Sequence, residues 1–537
     1  MSTIEYLALP AYKRILYKIM GFFASIPKAI WHFLSVTIAG FFVKVFKGIA
    51  NYFVSLYEFF VSGDWKTKLS YIVMGFGHIC RKSYIKGFLY LLYEIAFIVF
   101  MIFTGGPAIA KIGTFGYVAQ TTYTDANLGI EVSEFRDDSL MILLNFVIAI
   151  ILIGILIFLW STQIKENNEL ENLNKIGKSV GDSETVSSLV GKNFHKVLLS
   201  FPTLGVVMFT IIPLFIMIIV GFTNFSSTYQ NPKELFDWVG LYNFQKLFGL
   251  TGDNGYQFAY VFGQILLWTL IWAFFATFTN YFLGMVVALM INKKGIKLKK
   301  LWRTILITTI AVPQFISLLF LSKFLSKDTG ALNVVLKNLG LITENIGFLE
   351  DALIAKITII VVNMWIGIPY TMLMCSGILM NIPQDLYESA RIDGANPFKM
   401  YMKITLPYMM FVTGPYLISN FVGNINNFNV IFLLSGGNPQ FTNVKGVPIA
   451  INAYGAGQTD LLITWLYKIA MTQVSKDYGV ASVIGIIVFI VVASISLIFY
   501  NKTNAVKNEG DFQWSKLKIL SLDTLSFMQD RRYAYGI

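Results

Sequence analysis

The chain has 537 residues, 55% of them hydrophobic and 13% charged, with a net charge of +12 and a mean hydropathy of +0.63. A soluble globular domain carries about 25% charged residues, so this composition excludes one and points to a polytopic membrane protein. Cys80 and Cys375 are the only cysteines, and His32, His78 and His195 are scattered; they exclude a disulfide framework and make a histidine metal cluster an unpromising reading.

Residues 1–68 mix aromatic residues with Lys28, Lys44 and Lys47. They read as amphipathic helices lying in the cytoplasmic membrane interface, with a true span over 29–43 as the competing reading. Eight apolar spans follow, centred on Gly87–Phe103, Leu140–Leu159, Phe201–Phe222, Phe258–Ile291, Leu301–Leu325, Leu353–Met380, Tyr408–Leu434 and Tyr478–Tyr500. They are called spans one to eight below. Glu94 lies within span one; a carboxylate at that depth needs a partner or a neutral form. The fold class expected is an all-α polytopic membrane protein. Its modules are an interfacial region (1–68), a two-span module (69–162), a polar mobile linker (163–198), a transmembrane domain (199–502) and a tail (503–537).

The loop after span four holds Lys293, Lys294, Lys297, Lys299, Lys300 and Arg303, and basic loops stay in the cytoplasm. Alternation from that point puts 161–200, 382–407 and both termini on the cytoplasmic side. Gly177-Lys178-Ser179 in the linker is a decoy. A phosphate-binding loop needs a glycine where Asn172 stands, and no buried strand precedes it. With no such loop elsewhere, ATP and Mg would be used by another chain and this one would bind no cofactor.

Between spans six and seven runs IPQDLYESARIDGANPFKMYMKITLP, residues 382–407. Pro383 suits the first turn of a helix, where its missing N–H costs nothing. Asp385 and Glu388 face the positive end of its dipole. Leu386, Ala390 and Ile392 supply an apolar side, and Gly394 a stop. Asn396 and Pro397 then cap and open a second short helix that Leu406-Pro407 ends. Two capped helices make this more than a linker.

The flanking spans carry polar groups without charge. Span seven has Asn420, Asn424 and Asn427 on one helical face. They read either as interhelical glue or as the lining of a solute path. Span six has Asn363, Gly367 and Tyr370 beside Pro369, and span five has Gln314 after Pro313. Amides and aromatic rings suit a carbohydrate, and the lack of charge favours a neutral solute over an ion.

Glu388-Ser389-Ala390, Asp393-Gly394-Ala395, Ile404 and Leu406-Pro407 resemble the "EAA" loop of permease subunits of binding-protein-dependent ABC importers, with Ser389 in place of one Ala. The segments VPQFIS, NMWIGIPY, GGNP and AYGAGQTDLLITWLYKIA extend the likeness to the maltose/maltodextrin permeases of the MalF type, from Phe201 to Tyr500. The resemblance implies a six-helix importer core in a prokaryotic plasma membrane. It also implies an ATP-binding subunit dimer that docks on the coupling residues Glu388, Ser389, Ala390, Asp393, Gly394, Ile404, Leu406 and Pro407. The apolar side of the first loop helix would pack in the ATPase cleft. Further implied partners are a second, MalG-like permease subunit and an extracytoplasmic sugar-binding protein that meets loop 435–477. Carried over by position, the solute path falls on Gln314, Asn363, Ile366, Gly367, Tyr370, Asn420, Gly423, Asn424 and Asn427. Ile310, Gln314, Asn420 and Gly423 depart from the enterobacterial pattern. The implied activity is alternating-access import of maltodextrin-like sugars, with raffinose-type or alginate-like solutes as alternatives. A membrane-embedded glycosyltransferase is the remote one, because Asp137-Asp138 and Glu350-Asp351 lack the context of a catalytic pair.

Overall fold

The computed structural model describes Pro10 and residues 39–502, apart from 120, 125–128, 135, 178–181, 183–190, 192–193, 231–233, 252–254, 294, 445–446, 449–454 and 474–475. Much of the N-terminal region, part of the linker and the whole of the tail therefore lie outside the described residues, as does most of the alternative span over 29–43. The chain divides into two compact units, residues 1–239 and 240–537. Among the described residues seven helices are long and apolar enough to cross a membrane, or eight if one bent pair is counted as a span. The all-helical polytopic class is thus what the chain adopts.

In the first unit, span one is the helical run Tyr84–Lys111 and span two belongs to the helix Ser139–Lys175. The linker reading is corrected over 163–175, which continues span two as ordered helix. Its turns Gln163, Asn167 and Glu171 are buried, at helical spacing on one face. They receive the short helices Trp65–Leu69 and Phe76–Cys80. Arg81 organises the contact: its guanidinium bonds Asn167, and Asp64 at 2.7 Å and Thr67 at 2.9 Å. A polar stretch that looked like solvated linker is a polar helix face with buried partners. Glu94 is partnered too, accepting the Met74 N–H at 2.9 Å. A short antiparallel hairpin, Thr121–Thr124 with Glu131–Glu134, stands in the loop before span two, where Lys111 pairs with Asp137 at 2.6 Å.

Prolines shape the spans in a recurring way. Pro107, Pro213 and Pro407 each follow a wide π-turn: Met101–Gly105, Val207–Ile211 and Tyr401–Thr405. Proline removes one N–H and its ring crowds the carbonyl a turn earlier. Widening that turn absorbs both, and the helix carries on. Span five responds differently. The residue before a proline is driven to extended backbone, and Val312 has ψ 124°. The helices Lys299–Ala311 and Gln314–Phe324 meet there at 85°, so in place of the continuous kinked span expected from sequence stand two helices with a sharp bend between them.

The second unit is built on span four, Gly255–Asn292, against which spans six and seven pack. Span six is Ala352–Leu379, started by Asp351, whose carboxylate accepts the N–H groups of Leu353 and Ile354. Gly284 lets spans four and six approach closely: a Cβ there would stand 2.7 Å from Cβ of Thr371. One turn away a Cβ on Gly367 would strike the Asn280 amide. The two pairs keep the same offset in numbering, so the helices run parallel. Span four also hydrogen-bonds along its length. Trp268 donates to the Thr459 carbonyl (3.1 Å), Trp272 to the Asn424 carbonyl (3.0 Å), Tyr281 pairs with Thr413 (2.7 Å), and Asn292 donates to Ser376 (3.3 Å). Replacing Gly284 by Leu should abolish the monodisperse folded species seen by fluorescence-detected gel filtration. Gly263→Leu, on the same helix but facing open space, should leave it unchanged.

Candidate functional site

Residues 382–407 form a closed structural unit. The first helix runs Gln384–Ile392, with Pro383 at the cap position, one residue earlier than the first-turn placement expected. It ends in two bonds: Gly394 N–H to the Arg391 carbonyl (3.0 Å) and Ala395 N–H to the Ala390 carbonyl (2.9 Å). This pairing requires a left-handed residue between them, and Gly394 has φ +74°. Asn396 then caps the second helix, its side chain accepting the Lys399 N–H at 2.8 Å, with Pro397 in the first turn.

The unit has its own core. Ile382, Ala390, Met400 and Ile404 are buried together, with Leu386, Tyr387 and Ala395 against them. Tyr387 and Thr405 share a hydroxyl hydrogen bond of 2.8 Å across the two helices. The apolar side expected to meet a partner's cleft is divided: part of it turns inward and Ile392 turns outward. Leu386 and Ala390 face the loop's own interior, and Ala390 and Ile404 hold its shape. The apolar groups turned outward are Ile392, 87% exposed, and Phe398, 71% exposed. Glu388 and Asp393 are exposed as well, and Ser389 is half-buried.

A correction concerns Leu406-Pro407. They do not end the second helix. Pro397–Met400 passes through the π-turn Tyr401–Thr405 straight into Leu406–Ile425, and the whole of Pro397–Leu434 reads as one span. Pro407 takes the opening turn of the membrane segment, where the widened turn has already removed its clash. The second loop helix is therefore the lower end of span seven.

The polar residues above it fall into two groups. Asn424 is committed within the chain: its amide donates to Thr277 at 3.0 Å and its carboxamide oxygen accepts from Asn427 at 3.3 Å. Asn427 does not extend a helical stripe, because the helix stops at Ile425. It caps the next piece, Phe428–Leu434, by accepting the Val430 N–H at 3.4 Å. The other group has no such partners. Among the described residues the side chains of Gln314, Tyr370 and Asn420 make no hydrogen bond. Gln314 and Tyr370 are exposed, Tyr370 by 59%. Asn363 is buried with its amide nitrogen unpaired, and Asn280 on span four is buried with its carboxamide oxygen unpaired. The parallel register sets Asn363 level with Ala276, whose carbonyl accepts the Asn280 amide at 2.8 Å. Ile366 packs into the apolar cluster around Trp268 and Trp272, Gly367 abuts Asn280, and Gly423 faces open space. Thr277 and Asn280 were not anticipated; they stand three apart in an apolar run, which was the available signal.

Beyond span seven, the described residues of loop 435–477 around Asp460 form a tight knot. Asp460, fully buried, accepts from Gly457 N–H (2.7 Å), Thr464 (2.9 Å) and Lys468 (2.7 Å). Gly437, at φ +83°, leaves room for that carboxylate. A carboxylate with three donors is well satisfied, and Trp268 ties the knot to span four.

Multiple membrane-crossing helices, a two-helix loop fused to one of them and uncharged polar groups above that loop define a membrane transport component. Residues 280–504 match the model of the binding-protein-dependent transport system inner membrane component. The chain is 31% identical over 456 residues to the maltodextrin transport system permease protein MalC of Streptococcus pneumoniae, covering 83% of this chain and 97% of that protein. It is 31% identical over 449 residues to the galactooligosaccharides transport system permease protein GanP of Bacillus subtilis, covering 82% and 97%. To the maltose/maltodextrin transport system permease protein MalF of Vibrio parahaemolyticus it is 33% identical over 271 residues, covering 50% and 49%. The chain belongs to the family of permease subunits of binding-protein-dependent ABC importers. Such permeases work with a separate ATPase and a substrate-binding protein, and the chain is a transport subunit, not an enzyme.

If the two polar groups differ in role, single variants will separate them. Asn420→Ala and Tyr370→Phe should lower uptake while the thermal midpoint of the purified transporter holds. Asn424→Ala should lower both, its lost interhelical bond being worth about 0.6 kcal/mol and at most about 1.7 kcal/mol.

Proposed function

We propose that this chain imports a neutral oligosaccharide of the maltodextrin class by alternating access. The observation that carries the reading is the continuity of the second loop helix with span seven. A partner ATPase that closes on Glu388, Asp393, Ile392 and Phe398 would pull directly on the helix that bears Asn420 and Asn424. ATP and Mg belong to that ATPase dimer. A second, MalG-like permease subunit would complete the pathway, and both termini would lie in the cytoplasm with the basic loop 293–303.

Solute contact is assigned to the uncommitted groups, Gln314, Asn363, Tyr370 and Asn420. Asn424 and Asn427 keep the break in span seven in shape. Hydroxyls of a sugar would satisfy the amides and its apolar faces the Tyr370 ring, and no charge among them calls for a counter-ion. A second reading, a galacto-oligosaccharide, is supported by the equal identity to the Bacillus relative. ATPase stimulation of the assembled transporter by a panel of α-linked glucans and galacto-oligosaccharides separates the two: maltodextrins should stimulate several-fold more, and the reverse order would favour the second reading.

Gly394 tests the coupling. Among the described residues nothing stands within 4 Å of where its Cβ would be, so a substitution acts on the backbone. Forcing an L-residue into the left-handed region costs about 1–2 kcal/mol. Gly394→Val should leave insertion intact and abolish both uptake and sugar-stimulated ATP hydrolysis. Gly394→Asn, which tolerates that conformation, should retain a large fraction. Normal transport by the Val variant would remove the coupling assignment.

A further inference from the structure

Spans four and six enclose a groove of about 540 Å³ that plays no part in the solute path above. Its walls are apolar, formed by residues such as Leu267, Ile271, Phe275 and Ile360, and one cation, Lys356, stands among them. The ammonium lies 5.2 Å from the centroid of the Trp268 ring. Among the described residues no carboxylate is within ion-pair distance of it. An ionisable side chain inside a membrane-spanning helix with no ionic partner of its own marks a site for an anion from outside the chain.

Depth identifies that anion. Lys356 is the fifth residue of the 28-residue helix Ala352–Leu379. That helix is about 42 Å long against a hydrocarbon core of about 30 Å, so roughly four residues project at each end. Lys356 therefore sits at the boundary between headgroups and hydrocarbon, in the leaflet opposite the coupling loop. Trp268 lies at the same level, as the parallel register requires, buried with its indole N–H on the Thr459 carbonyl. From the level of Trp268 the groove runs inward to Thr279, about 16 Å along span four. One leaflet of hydrocarbon is about 15 Å deep. The outer wall is open, with Leu267, Ile357 and Val361 exposed.

We infer that this groove is a binding site for one anionic glycerophospholipid, its phosphate on Lys356 above the Trp268 ring and one acyl chain along Ile271 and Phe275. The chemistry matches part by part. A cation at phosphate depth meets the headgroup, and an apolar trough about as long as one leaflet is deep meets the chain. Because Trp268 also donates to the Thr459 carbonyl, a lipid here would brace the wall that holds loop 435–477.

The test uses the complete transporter, this chain with its second permease subunit and ATPase. It is purified from nanodiscs containing equal phosphatidylglycerol and phosphatidylcholine, and retained lipid is read by native mass spectrometry. The wild type should keep phosphatidylglycerol several-fold over phosphatidylcholine. Lys356→Gln should lose that preference, Lys356→Arg should keep it, and Ile271→Trp, which fills the trough, should lower retention of both lipids with the complex still assembled. Equal phosphatidylglycerol retention by wild type and Lys356→Gln would overturn the proposal. So would displacement of the lipid by millimolar inorganic phosphate, which would make this a soluble-anion site. Loss of the second permease subunit from Lys356→Glu in every lipid would overturn it as well, because a protein carboxylate would then be the partner of Lys356.

Discussion

The close parallel approach of spans four and six is the constraint on which the second unit rests. In a lipid environment apolar side chains gain nothing by leaving one hydrocarbon for another, so helices associate through small residues and polar bonds. Gly284 and Gly367 supply the first. They bring Thr371 and Asn280 against the opposite backbone, at distances that any larger residue would forbid. The second comes from the Trp268, Trp272, Thr277, Tyr281 and Asn292 side chains, which reach three other parts of the unit from one helix. Each such bond contributes about 0.6 kcal/mol on average, so no single one holds the bundle. The glycine contact makes them all geometrically possible at once, because it sets the axis from which they are measured.

Under the proposed alternating access, span seven would be the moving part. Span seven is tied to span four near its middle and its break, through Thr413 and Asn424, while its lower end is the second loop helix. The loop has a buried apolar centre and a hydroxyl bridge between its helices. A unit so held, continuous with a long helix, would transmit a displacement to it. The first loop helix enters through the short turn 380–383 instead, so spans six and seven would not respond alike to one push. The π-turn at Tyr401–Thr405 is an irregular turn in this connection, and its cause is Pro407.

Several features were legible from residues alone. The eight apolar stretches, the cap residues Asn396 and Asp351, the glycine stop at Gly394 and the carboxamides of span seven follow from local rules: apolar length, orphan N–H groups at helix starts, and the freedom of glycine at positive φ. Where local rules were extended by one step they failed. Leu406-Pro407 looks like a terminator because proline ends helices in isolation, yet a wider turn upstream lets this one continue. The 163–175 stretch looks like linker because its residues are polar, yet their partners lie a hundred positions away, in the segment around Arg81. Leu386 and Ala390 look like a docking face because they are apolar and precede an exposed turn, yet Ile382, Met400 and Ile404 cover them.

What the sequence determined by itself is the class: a chain this apolar, with basic loops at these intervals and one structured polar loop, must thread a membrane and take its energy from elsewhere. Tertiary structure alone decided which polar groups remain available. Asn420 and Asn424 are the same residue type one turn apart on one helix, and nothing in their surroundings along the chain distinguishes them. Thr277, more than a hundred residues earlier, does so by bonding one and not the other. A hydrogen bond is satisfied once, by whatever is within 3 Å, and only the packed helices define that neighbourhood.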